Sequence, residues 1–174
     1  MNSYEKYSHC LVRSIYYVFK NFFYDDSIDE VFKTQSSKTE PKVYIEFTGT
    51  LFGEIVINFP VKTLNKLIIQ IMPDVNPRSV KKHRAEVAGE IANLVTGTFA
   101  NHLQYLNHEV KLSPPEYNND PISMKTFFDN INLSFESMFG GFDVDLYYKE
   151  EVEEEDEDDD EEEGRRNIEI KGRR

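Results

Sequence analysis

Residues 78–108, RSVKKHRAEVAGEIANLVTGTFANHLQYLNH, decide how the rest of the chain is arranged. Their apolar side chains recur at helical spacing, which predicts one long amphipathic α-helix. The apolar arc of this helix consists of Val87, Ile91, Leu94, Val95, Phe99, Leu103 and Leu106. We expect the arc to pack against a sheet supplied by the rest of the chain, so that the opposite face of the helix stays free.

The opposite face carries Glu86, Glu90, Asn93 and Gly97, at spacings of four, three and four residues. This spacing places the four residues one above another. Asn93 and Gly97 are poor helix formers, as is Gly89 at the border of the face, and each Gly costs about 1 kcal/mol relative to Ala in a helix interior. The face is therefore either a weakly optimised solvent face or a low surface that lets another molecule approach its carboxylates and carboxamide.

The charge of the chain is concentrated at its C-terminal end. The net charge is −12, but residues 150–163 hold 13 acidic side chains, whereas residues 164–174 hold five basic ones. Residues 1–149 hold 15 Lys or Arg and 18 Asp or Glu, so this part is close to neutral. Because like charges with few apolar residues repel one another, we predict a folded domain over residues 1–149 and a disordered acidic tail with a basic end over residues 150–174.

Several classes of protein are disfavoured by composition. The single cysteine, Cys10, cannot form an internal disulfide and is expected to be a small packing residue. Arg13 and Lys20 interrupt the first apolar run, and no stretch approaches the roughly 18 apolar residues of a membrane helix, so neither a signal peptide nor membrane insertion is predicted. The four histidines are scattered, and no basic face interleaved with aromatic residues indicates nucleic-acid binding. We predict a cytoplasmic protein without a metal site of its own.

Patterns elsewhere predict a sheet and further helices. Helical spacing predicts a first helix over residues 3–24 and a short one after Pro60, with a turn or short helix around residues 28–32. Alternation predicts a hairpin over residues 43–59, a short strand over residues 110–114, a strand over residues 123–128, and a final hairpin from residues 130–135 and 142–148. The fold class predicted from these elements is α+β, a two-layer sandwich in which long helices cover a mostly antiparallel sheet.

Residues 89–103, GEIANLVTGTFANHL, resemble the signature of the CheC/CheX/FliY chemotaxis phosphatase family, closest to its CheX branch. Glu90 and Asn93 occupy the two positions of the family's Glu-x-x-Asn motif. Glu86 stands where the family usually has Asp or Ser, and Pro114-Pro115 falls a residue or two before the family's proline. The resemblance extends over residues 3–148. The first helix has no second Glu-x-x-Asn, so one site per chain is expected.

The resemblance implies dephosphorylation of the phospho-aspartate of a CheY-like response regulator. It implies that Asn93 positions the attacking water and that Glu90 pairs with a lysine of the regulator, while Glu86, Gly89 and Gly97 contact or admit this partner. It also implies that the regulator brings its own Mg²⁺, that the chain needs no cofactor of its own, and that homodimers form through an edge of the sheet such as residues 131–148. The chemistry suits a carboxamide, because an acyl phosphate is hydrolysed by in-line attack of water and the catalyst mainly has to position that water.

Two other functions stay open at the level of sequence. The chain is alternatively a non-catalytic CheX-like adaptor that docks a response regulator or a motor component, although the intact Asn93 favours catalysis. Alternatively, the acidic tail binds basic proteins or mimics a polyanion. A simpler interpretation of the tail is a solubilising appendage in which residues 165–174 fold back on the acidic residues 150–163.

Overall fold

The computed structural model describes residues 1–32, 41–118 and 128–150, which form three α-helices, one 3-10 helix and seven strands. In chain order these are α1 (Ser3–Phe22), β1 (Asp29–Val31), β2 (Lys42–Gly49), β3 (Leu51–Asn58), α2 (Val61–Ile71), a 3-10 helix (Pro77–His83), α3 (Arg84–Gln104), β4 (Val110–Leu112), β5 (Glu116–Asn118), β6 (Asp129–Ser137) and β7 (Gly140–Glu150). No helix in this part of the chain is both long enough and apolar enough to span a membrane.

The strands form one antiparallel sheet in the order β1-β6-β7-β3-β2-β4, and β5 pairs with β2 as well. Its centre is the pairing of β3 with β7, where Ile55 lies opposite Leu146, and of β2 with β3, where Ile45 lies opposite Ile55. β7 is therefore flanked on both sides, and it cannot supply the dimer edge that was expected within residues 131–148. β6 is covered by β1 only at residues 134–136, since β1 has three residues.

The core lies between one face of the sheet and the helices. Alternate residues of the central strands point into it, including Val43, Ile45, Phe47, Ile55, Ile57, Val144 and Leu146, all nearly or fully inaccessible to solvent. From the helix layer, Val87, Ile91, Val95, Phe99 and Leu103 of α3 are equally buried. The ring centroids of Phe47 and Phe99 lie 6.0 Å apart, which joins β2 to α3 directly. The predicted two-layer α+β sandwich is confirmed.

The long predicted helix is shorter than its sequence pattern suggested. Residues 77–83 form a 3-10 helix, begun by Pro77 and by Asn76, whose side chain accepts a hydrogen bond from the Arg78 N–H at 2.9 Å. The α-helix starts at Arg84 and ends in a Schellman motif, in which the His108 N–H donates to the Leu103 carbonyl at 3.0 Å. Asn107 adopts a left-handed φ of 63° there, a conformation that Asn tolerates better than most residues.

Other predictions at the ends of elements need correction or cannot be compared. The turn or short helix expected at residues 28–32 is wrong, because Asp29–Val31 is a strand that pairs with β6. A strand of three residues is too short to show alternation, so only its tertiary pairing defines it. The strand predicted over residues 123–128 lies outside the described residues except for Phe128, and the tail beyond Glu150 lies outside them too. Glu150 itself is the last residue of β7.

Candidate functional site

The polar residues predicted to share one face of α3 do face solvent. Glu86, Glu90 and Asn93 are exposed and Gly97 is half-buried, while the opposite side of the helix packs on the sheet. Glu86 lies 3.4 Å from Nδ1 of His83. Within the part of the chain that the structure describes, the side chains of Glu90 and Asn93 make no hydrogen bond or ion pair. The carboxylate of Glu90 and the carboxamide of Asn93 are therefore available to another molecule. We call Glu86, Glu90, Asn93 and Gly97 the α3 strip.

The two glycines near the motif lie in different surroundings. A Cβ added at Gly97 would meet nothing within 4 Å, so the surface one turn beyond Asn93 is low and open. Gly89 is buried, and a Cβ there would lie 3.3 Å from Cγ of Pro115. The expectation that Gly89 belongs to the open surface is therefore corrected. A step of 100° per residue turns Gly89 away from Glu90 and toward the sheet edge, where it lets the chain of Pro115 approach α3 closely.

The segment that carries Pro114 and Pro115 borders one side of the α3 strip. It connects β4 to β5, both of which pair with β2. Between these two strands, Ser113 continues the pairing with β2. Its N–H donates to the Glu46 carbonyl at 2.8 Å, and its Oγ accepts from the Glu46 N–H at 3.0 Å. The two prolines have no N–H to leave unpaired at this edge. The ladder thus positions Pro115 against Gly89, next to Glu90 in the chain.

Helix α1 packs against α3, with its side-chain hydrogen bonds beyond the C-terminal end of the α3 strip. The buried Ser14 donates its hydroxyl proton to the Cys10 carbonyl at 2.6 Å and lies 2.9 Å from Nδ1 of His102. Because the hydroxyl proton of Ser14 already bonds to the Cys10 carbonyl, Ser14 Oγ accepts a hydrogen bond from Nδ1–H of His102. This arrangement requires the tautomer of His102 that carries a proton on Nδ1. At the other end of the contact, the Tyr7 hydroxyl lies 2.9 Å from Nε2 of His108, so the two helices run antiparallel.

The Ser14–His102 pair was not found from sequence, since its members are 88 residues apart and neither belongs to a motif. It does not form a nucleophile and base, because Ser14 is inaccessible and its proton points to a backbone carbonyl. Cys10 is half-buried and packs beside the core, and burial raises the pKa of its thiol. The polar groups on the α1 side therefore position α3 and do not react.

The α3 strip presents carboxylates, a carboxamide and an open surface, but its side chains do not form a binding site for a cation. Among the described residues, no three His, Cys, Asp or Glu side chains are grouped in a way that could hold a metal ion. Glu86 and Glu90 lie on one helix face, four residues apart, and this arrangement supplies too few converging oxygen atoms for Mg²⁺. The strip is thus suited to contact another molecule.

Residues 42–121 match the family model described as chemotaxis phosphatase CheX. This range contains the whole of α3, with Glu90 and Asn93, and both prolines that border the site. The resemblance to the CheC/CheX/FliY family is confirmed. The CheX-like part that the family model matches begins at β2 and extends a little beyond β5. Comparison with curated proteins gives no match.

Solved CheX-like structures share the fold of this chain. CheX from Vibrio vulnificus superposes with a TM-score of 0.70 at 17% identity, over 86% of this chain and 100% of its own. A CheC-like protein from Shewanella sp. PV-4 gives 0.69 at 18%, over 86% and 99% of the two chains. The CheX–CheY–BeF3–Mg²⁺ complex from Borrelia burgdorferi gives 0.67 at 17%, over 83% and 98%. Each comparison spans nearly the whole neighbour, so the likeness concerns the complete domain fold.

Proposed function

We propose that this CheX-like protein dephosphorylates the phospho-aspartate of a CheY-like response regulator. The observation that carries the proposal is the α3 strip, where Glu90 and Asn93 face solvent one turn apart without a described partner. The open surface at Gly97 supports it, because a partner can approach Asn93 there. The family's description as chemotaxis phosphatases and the complex of a similarly folded CheX with CheY agree with this proposal.

In the proposed reaction, Asn93 positions a water molecule in line with the phosphorus–oxygen bond of the aspartyl phosphate. The water oxygen bonds to phosphorus, the bond to the aspartate oxygen breaks, and the products are inorganic phosphate and a free carboxylate. The carboxamide oxygen of Asn93 accepts a hydrogen bond from the water, which orients it for attack. A neutral carboxamide suits this task better than a carboxylate, because it does not repel the anionic phosphoryl group.

Glu90 is proposed to align the two proteins. It precedes Asn93 by three residues on the same face of α3, so a cation bound to Glu90 lies beside the water that Asn93 holds. A lysine near the phosphorylation site of the regulator would form a charge-assisted hydrogen bond with this carboxylate. The Mg²⁺ of the reaction belongs to the regulator, where it would neutralise charge on the phosphoryl group. Glu86 is proposed to contact the partner at the rim of the interface between the two proteins.

The test is the decay of a phosphorylated response regulator with wild type, Asn93→Ala and Glu90→Ala. We expect Asn93→Ala to lose about a hundredfold of the acceleration, the order of effect that a misplaced reactant produces, while binding persists. Glu90→Ala should mainly weaken binding. Gln70→Ala is the control, because Gln70 is an exposed carboxamide residue on α2, outside the α3 strip. If wild type binds the regulator without accelerating its decay, the chain is the non-catalytic adaptor instead.

Homodimer formation and a cytoplasmic location are also proposed by resemblance. For the dimer, residues 129–133 of β6 are of interest, because among the described residues no strand covers their side opposite β7. Light scattering of wild type and of Asn132→Pro would test this edge. A monomeric wild type would contradict the homodimer. If wild type is dimeric and Asn132→Pro has the same mass, the interface lies at another part of the surface.

A further inference from the structure

A row of cations follows the exposed face of α1. Lys6, Arg13 and Lys20 are all exposed and are seven residues apart, which is nearly two helical turns, so they lie almost in one line. No acidic side chain of α1 interrupts this line; His9 and Tyr17 lie between the cations. None of the three cations forms an ion pair with another described residue, although Lys20 lies 5.7 Å from the ring centroid of Tyr16. We call Lys6, Arg13 and Lys20 the basic stripe.

The last described residue of the chain, Glu150, lies beside the turns of α1 that carry the first cation of the basic stripe. Ser3 Oγ and the Tyr7 hydroxyl both donate to Oε1 of Glu150 at 2.7 Å, so the end of β7 is held at the first turns of α1. These two donors, together with the charges of His108 and Lys6, hold the pKa of Glu150 below its usual value. Glu150, the last described residue, therefore lies at the end of the basic stripe that Lys6 begins.

The length and charge of the following segment match the basic stripe. Residues 151–163 consist of 12 Asp or Glu and one valine. The distance from Lys6 to Lys20 along a helix is about 21 Å, and thirteen residues in extended form reach about 43 Å. We propose that the acidic run, residues 151–163, binds intramolecularly along the basic stripe of α1. The bond is electrostatic, so it strengthens at low ionic strength and is screened by salt.

This contact would place the acidic run next to the α3 strip. Ser14 and Tyr7 join α1 to α3 side by side, and the exposed faces of both helices point away from the sheet. Neighbouring helix axes are about 8–10 Å apart. Since Ser14 lies beside His102 and the two helices are antiparallel, the Lys20 end of the basic stripe lies nearest to Asn93, and a polyanion there adds negative charge to one side of the approach. The contact itself does not depend on what the α3 strip does.

Carbodiimide coupling of the full-length chain tests the contact, because the reagent joins a carboxylate to a lysine amine only where the two groups touch. The amides are identified by mass spectrometry of peptides, from an equal mixture of ¹⁴N and ¹⁵N protein that separates coupling within a chain from coupling between chains. We expect residues 151–163 to couple to Lys6 and Lys20 within one chain at low salt. Coupling to Lys62 and Lys66, exposed on α2, should be lower by about threefold or more, and raising salt to about 1 M should remove the difference.

Arg13→Gln sharpens the test, since it removes the central cation and leaves both reactive lysines in place. It should lower coupling to Lys6 and Lys20 about two- to threefold, whereas Arg78→Gln, at an exposed arginine of the 3-10 helix, should not. Three results would overturn the proposal: coupling of the acidic run only to Lys171 in the tail, coupling only between chains, or equal coupling at the lysines of α1 and α2.

Discussion

Gly89 and Gly97 of α3 show how one residue type serves two purposes within eight residues. A Cβ added at Gly97 would meet no atom within 4 Å, whereas a Cβ added at Gly89 would lie 3.3 Å from Cγ of Pro115. Helix propensity alone penalises both glycines equally. The surroundings therefore decide that Gly89 permits close packing between α3 and the sheet edge, whereas Gly97 keeps the surface beside Asn93 low.

The same substitution at both positions should have opposite effects. We expect Gly97→Leu to leave the free energy of unfolding unchanged or raise it by up to about 1 kcal/mol, because helix propensity improves and a Cβ at this position meets no atom within 4 Å. Gly89→Leu should lower it by about 1–3 kcal/mol, because the side chain collides with Pro115. Denaturant unfolding of both variants measures the difference. Gly97→Leu should also slow the decay of phosphorylated regulator, although the protein stays folded; equal stability losses at the two sites would contradict this account.

At the scale of elements, the pairing of α1 with α3 positions the site. α3 contacts the sheet through its apolar arc and contacts α1 through the Ser14–His102 hydrogen bond. The connection between β4 and β5 holds the other flank through Pro115. Of these elements the sequence predicted α1, α3 and β4 but not β5, because the two prolines before Glu116 indicate the end of a strand. The α3 strip is therefore held from two sides by contacts that its own pattern does not show.

Ser14→Ala should weaken the contact between the two helices. It removes the acceptor of the His102 Nδ1–H in a buried place, and a buried donor without a partner costs about 1–3 kcal/mol. Ser8→Ala is the matched control, because it brings the same gain in helix propensity on α1 and lies at a half-buried position outside this hydrogen bond. Thermal or denaturant unfolding should show a loss for Ser14→Ala and none for Ser8→Ala. Equal stabilities of the two variants would show that the Ser14–His102 hydrogen bond does not stabilise the fold.

At the scale of the whole molecule, Tyr7 joins the first helix to the last strand and to the end of α3. Its hydroxyl donates to Glu150 at 2.7 Å and lies 2.9 Å from Nε2 of His108. Burial is the main cause that raises the pKa of Tyr7, so the phenol stays protonated and remains a donor. Thr50 Oγ1, 3.2 Å from Nδ1 of His108, extends this network to the turn between β2 and β3.

Tyr7→Phe should reduce stability in a pH-dependent way. The hydrogen bonds to Glu150 lower its pKa in the folded state, so they stabilise the fold above the unfolded pKa of about 4.5 and this contribution is lost as pH falls through the lower, folded value. The unfolding free energies of wild type and Tyr7→Phe should therefore differ most at neutral pH and converge as pH falls below about 4.5. Tyr4→Phe, at an exposed tyrosine of α1, is the control. A difference that does not change with pH would show that Glu150 is not the group involved.

The amino-acid sequence by itself determined the amphipathic α3, the alternating strands, the two-layer class and the common face of Glu90 and Asn93. All of these follow from local periodicity, which a chain carries wherever it folds. Only the tertiary structure decided that Gly89 lies beneath Pro115, that Ser14 meets His102, that Asp29–Val31 is a strand, and that Glu150 ends at Ser3 and Tyr7. The hydrogen bonds among these contacts join residues 88 to 147 positions apart, and only the packing of the helices and strands in the folded chain brings them together.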